Sequence, residues 1–138
     1  MLMLTLGAVA ACGGNPSAQR ADPPPSAAAR PALLREATGA GEVVVRGETS
    51  PKTAGPYPLH GTYNVRFQQY APEAPETDFT SQTPFVVDLE RSPGTPAMHV
   101  FKDAAETGRS TVTVDGRMYV DVSFGDFPFV IRFTPVRR

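Results

Sequence analysis

The chain has 138 residues, with 13 Lys+Arg against 14 Asp+Glu, a formal net charge of −1 and 41% hydrophobic residues. That length and balance describe one domain and exclude the basic excess that nucleic acid or an anionic membrane surface requires. A single cysteine excludes an internal disulfide, so packing alone holds the fold.

The chain opens on an apolar run, residues 1–11, too short for the roughly 20 residues that span a bilayer. It fits the apolar core of a secretory signal instead. Val9-Ala10-Ala11-Cys12 follows, and these residues resemble the lipobox of bacterial lipoproteins. The resemblance implies a diacylglyceryl group on the Cys12 sulfur, cleavage just before Cys12, and small side chains at Ala10 and Ala11 for the peptidase. One departure is that no basic residue precedes Arg20. Each buried CH₂ of an acyl chain contributes about 0.8 kcal/mol, so two or more chains hold a protein stably where one does so marginally. The implied location is the cell membrane or outer membrane, lipid-anchored and facing the periplasm or the exterior.

Residues 12–40 are rich in Ala, Pro, Ser, Gly and Arg, with Pro23-Pro24-Pro25 in the middle and no large aromatic. Such a composition buries too little apolar surface to offset its ordering entropy, which predicts a disordered tether. Within it, Pro31 suits a first helical position and Gly39 a C-cap, though a helix between them is short for independent stability.

Residues 41–138 alternate with period two, which predicts strands. Val43 and Val45 open a short one. From Leu59 to Tyr70, the residues Leu59, Tyr63, Val65 and Phe67 share one parity, opposite Thr62, Asn64, Arg66, Gln68 and Tyr70. Phe85, Val87 and Leu89 define a third strand and Met98 to Lys102 a fourth. Runs 109–114, 117–124 and 127–134 then predict a three-stranded meander. A two-residue turn at Gly125-Asp126 sets Phe124, Val122, Val120 and Met118 against Phe127, Phe129, Ile131 and Phe133. A three-residue loop over Val114-Asp115-Gly116 predicts a bulged hairpin that sets Val112 against Met118. Pro128, lacking an N–H, marks strand 127–134 as an edge, or as unpaired on that side near its start.

Burying these phenylalanines needs a second layer. The expectation is an all-β fold, an antiparallel β-sandwich of immunoglobulin-like or jelly-roll type. The segment GTYNVRF, residues 61–67, resembles the Gly-x-Tyr-x-Val strands of secreted sandwiches, carbohydrate-binding modules among them.

Little in the chain points to catalysis. Cys12 is unavailable as a nucleophile if acylated, and His60 and His99 stand without a metal-ligand spacing. No Gly-x-Ser-x-Gly elbow or phosphate-cradling glycine loop occurs. Glu73, Glu76 and Asp78 would need backbone carbonyls to complete the six to eight oxygens of Ca²⁺, and read as a solvated acidic loop. Two polar strand faces suit a ligand, because tyrosine rings stack while amides and guanidinium groups orient. One carries Asn64, Arg66, Gln68 and Tyr70, the other Arg117, Tyr119 and Asp121, and Tyr57 between prolines is a further contact. Tyr70, Arg117, Tyr119 and Asp121 are the candidate ligand-binding residues, with Cys12 the lipidation site.

The expectation is a lipid-anchored envelope protein with a non-enzymatic binding or structural module, without cofactor or metal. Its partners would be the membrane, through the lipid on Cys12, and an envelope protein or glycan, not nucleic acid. The alternatives are a carbohydrate- or peptidoglycan-binding lipoprotein and a small envelope hydrolase.

Overall fold

The computed structural model describes residues 32–137. Cys12, the lipobox and most of the expected tether lie outside the described residues. A four-residue helix, α1 (Ala32–Arg35), is followed by β1 (Val43–Gly47), β2 (Lys52–Gln69), β3 (Phe85–Ser92), β4 (Thr95–Asp103), β5 (Thr107–Phe124) and β6 (Phe129–Pro135). The strands form one antiparallel sheet in the order β1-β6-β2-β5-β3-β4.

β2 and β5, 18 residues each, pair from Lys52↔Val122 to Gln68↔Thr107. The second half of β2 also pairs with β6, and the second half of β5 with β3. Phe67, near the end of β2, meets two rings that are not its ladder neighbours: Phe85 of β3 and Phe101 of β4, each with centroids 4.7 Å apart. Phe85 also lies 5.4 Å from Phe129 of β6. The one sheet therefore folds over on itself, and its two halves face each other as the layers of a sandwich. The ladder passes from one half to the other at Gly61 (φ 105°) and Gly116 (φ 126°), where Leu59 faces Gly116 and Gly61 faces Val114. That left-handed backbone is open to glycine at little cost, so both strands turn without breaking their pairing.

Between the halves lie Leu59, Val65, Phe67, Phe85, Val87, Leu89, Val120, Val122, Phe129, Ile131 and Phe133, all fully or nearly fully buried. Each such side chain contributes about 1.5–3 kcal/mol relative to an exposed position. The alternation over β2 and β3 thus faces the core as the sequence predicts.

The C-terminal meander does not form. Residues 107–124 are one strand, so Asp115-Gly116 is a bend within β5 and not a bulged hairpin. β6 pairs with β1 and β2, not with β5: Ile131 faces Val45 and Phe67, and Phe133 faces Val43 and Val65. Residues 125–128 instead cross between the two halves. Ser50 donates from its amide and its Oγ to the Gly125 carbonyl (3.2 and 2.6 Å), and Thr83 Oγ1 donates to Asp126 Oδ2 (2.6 Å). β6 is interior, not an edge, and Pro128 precedes it, with its carbonyl accepting from the Tyr70 amide. Phe124 is 59% exposed because the β3–β5 register shifts by one residue beside it, turning it outward with Val86. Tyr57 lies within β2, just past a register shift at Gly55-Pro56, and packs half-buried against the core.

Residues upstream of 41 also pack on the sheet. Residues 32–42 run as a strap over the outer face of β6, which explains why Phe129 to Phe133 are buried without alternation. Beneath the strap is Arg132, with 0% of its surface exposed. Its Nε donates to the Leu33 carbonyl (2.6 Å), Nη1 to Glu42 Oε2 (2.8 Å) and Nη2 to the Glu36 carbonyl. Glu42 also accepts from the Gly39 amide (2.8 Å) and Thr134 Oγ1 (3.0 Å). Among the described residues no buried side-chain polar atom lacks a partner.

Gly108 abuts the Phe67 ring, where an added methyl would collide with ring carbons. Gly108→Ala is expected to lower stability by about 1–3 kcal/mol through overpacking. In urea unfolding, Gly108→Ala combined with Phe67→Leu should lose less than the two single losses added together. Simple additivity would show that the ring is not what forbids the methyl.

Candidate binding face

On the outer face of the half formed by β1, β6, β2 and β5, three arginines stand in one row across three strands. Arg66 of β2 is in register with Arg109 of β5 on one side and Arg132 of β6 on the other. Directly opposed residues have Cβ atoms about 5 Å apart, and like charges so placed destabilise a sheet. Two of the three charges are met by the strap. Arg132 holds Glu42, and Arg66 forms a forked pair with Glu36, Nη1 to Oε1 at 3.1 Å and Nη2 to Oε2 at 2.7 Å. The hydrogen bond from Arg66, aided by its charge and that of Arg132, lowers the Glu36 carboxyl below its ordinary range despite some desolvation. The same bond raises the Arg66 guanidinium.

Arg109 has no such counterpart. Its side chain is exposed and makes no hydrogen bond or ion pair among the described residues. It lines an open groove of about 430 Å³ with Asn64, Arg66, Thr111 and Thr134, and a smaller one of about 180 Å³ with Leu33 and Thr107. Thr111 Oγ1 donates to Asn64 Oδ1 at 3.3 Å across the β2–β5 ladder. Every lining group except Leu33 rides on a paired strand, so the face is held rigidly.

Of the residues singled out in the sequence, Asn64, Arg66 and Gln68 share this face, and Gln68 Oε1 accepts from the Leu33 amide at 3.5 Å. Arg117, Tyr119 and Asp121 share the outer face of the other half. There Asp121 accepts from Thr53 Oγ1 (2.7 Å) and stands in register with Asp88, and Tyr119 is half-buried in register with Glu90. Tyr70 follows the end of β2 beside Pro128, and no register pair brings it to the other three. The structure therefore groups Arg117, Tyr119 and Asp121 but not Tyr70.

The histidines are not solitary. His60 Nδ1 lies 2.6 Å from Asp115 Oδ1, and His99 Nδ1 lies 2.6 Å from Asp88 Oδ1, both across strands and partly exposed. In the acidic loop, Asp78 accepts from the Thr80 amide (3.0 Å) and Oγ1 (2.6 Å), capping a 3₁₀ turn over Phe79–Ser81. These bonds hold its carboxyl below the ordinary range. Among the described residues no group of three His, Cys, Asp or Glu is placed to hold a metal ion.

Sequence reasoning missed Glu36, Glu42, Arg109 and Arg132. A signal existed for one of them, since Arg132 is a lone charge inside the apolar run Phe129-Val130-Ile131-Arg132-Phe133. No family model, curated protein or solved structure matches the chain.

Because Glu36 is lowered in the folded state, its contribution is complete above the ordinary glutamate range and is lost as pH falls through the lowered value. The strap should loosen there before the sheet unfolds. Hydrogen-exchange protection at Leu33 and Glu36 should drop over that acid range, and Arg66→Gln should remove the pH dependence. Flat protection through the range would show that the Glu36–Arg66 pair does not hold the strap.

Proposed function

We propose that the chain is a lipid-anchored cell-envelope protein whose β-sandwich is a non-enzymatic binding module, acting through the outer face of β5, β2 and β6. The observation that carries the binding reading is Arg109, a guanidinium without a partner among the described residues, fixed on a paired strand beside an open polar groove. Isolated exposed charges are common, but this one completes a row in which both other members are matched by carboxylates.

The lipobox at Val9–Cys12 supports the anchor. The strap enters the domain on the groove's own face, with Leu33 lining the smaller groove beside Arg109. A lipid on Cys12 would join the domain to the membrane through the segment that leads into the strap. No described helix is long and apolar enough to cross a membrane.

A glycan reading draws on the other half, where Arg117, Tyr119 and Asp121 share one face. Pull-down on peptidoglycan decides it: retention lost in Tyr119→Ala favours a glycan site there, and retention unaffected by that change removes it.

The anchor is tested by metabolic labelling with radioactive palmitate. The intact chain should take up label and sediment with membranes, and Cys12→Ala should take up none and stay in the supernatant. Label persisting in Cys12→Ala would overturn the lipid assignment.

A further inference from the structure

We propose that Arg109 is the open place in a row of carboxylate-reading arginines, and that it takes an Asp or Glu side chain from an extended acidic segment of a partner protein. The inference rests on the binding-module reading and names the chemistry of its ligand.

The strap shows what this face accepts. It is a peptide segment laid on the sheet, and it delivers one carboxylate to each arginine it reaches: Glu42 to Arg132 and Glu36, through a two-pronged pair, to Arg66. Its backbone is taken too, by Arg132 through the carbonyls of Leu33 and Glu36. Arg109 is the next step along the row, in register with Arg66, and the strap does not reach it. A row of three opposed cations is costly unless anions are interleaved, and two of the three are already interleaved. The planar fork of a guanidinium matches a carboxylate with two parallel N–H···O bonds.

The groove's shape selects the kind of ligand. It is open to solvent, and a single exposed ion pair binds weakly because water screens it. A small acid would have little else to hold. An extended chain adds contacts to Asn64, Thr111 and Thr134 along the groove and to Thr107 on the far side of Arg109.

Fluorescence anisotropy tests this with the whole chain carrying Cys12→Ser and a fluorescein-labelled hexaglutamate peptide. Saturable binding is expected, weakening with salt, at least tenfold weaker in Arg109→Gln and unchanged in Arg117→Gln on the other half. Labelled hexaglutamine should not bind, and free glutamate should compete only at far higher concentration. Since Arg109 is exposed and its side chain has no partner among the described residues, Arg109→Gln should keep the parent urea midpoint. The proposal is overturned by no saturable binding, by equal affinity in Arg109→Gln, or by an equal loss in Arg117→Gln. Free glutamate competing as well as the peptide would also overturn it, assigning the site to a small acid. None of these results would touch palmitate labelling at Cys12, so the anchor stands or falls separately.

Discussion

A buried guanidinium organises this molecule. Moving a charge from water into a protein interior costs several kcal/mol, and only close, well-directed partners recover it. Arg132 recovers it from Glu42 and from the carbonyls of Leu33 and Glu36. Those partners all lie in residues 32–42, far from Arg132 in the chain. The arginine therefore cannot be buried unless the strap is in place, and no residue of the strap's helix is itself fully buried. Each makes the other possible. With the outer face of β6 covered in this way, the strand can sit inside the sheet with both faces dry.

The fold class was legible because alternation reports which side chains face inward. Tyr63, Val65 and Phe67 on β2, and Phe85, Val87 and Leu89 on β3, point where their parity requires. Alternation says nothing about partners, however. Phe129, Ile131 and Phe133 offer the same apolar face to any strand of suitable parity, and the nearest in sequence, 117–124, is not the one they meet. Asp115-Gly116 misled for a related reason. A left-handed glycine serves a hairpin turn and a bend in a continuous strand equally well, and only the long β2–β5 ladder decides between them. The strap was hidden by composition: Leu33 and Leu34 in an Ala/Pro-rich stretch give little hydrophobic signal, and its docking is polar.

The binding face was half visible. Parity grouped Asn64, Arg66 and Gln68, and separately Arg117, Tyr119 and Asp121, and each group does share a face. The arginine row could not be read, because Arg66, Arg109 and Arg132 come from three strands whose register no local pattern encodes. Tyr70 was grouped by parity with a strand that ends one residue before it. A ligand site built across strands becomes apparent only when the strand partners are known.

The central claim is that Arg132 and Glu42 act as one unit, and a double-mutant cycle in urea unfolding tests it most directly. Arg132→Met and Glu42→Leu should each cost about 3–5 kcal/mol, since each strands a charge away from water. Made together, they should cost well under the sum of the two, leaving a coupling of about 2 kcal/mol or more. Losses that simply add would mean that the guanidinium and the carboxylate do not depend on each other, and the strap would need another explanation.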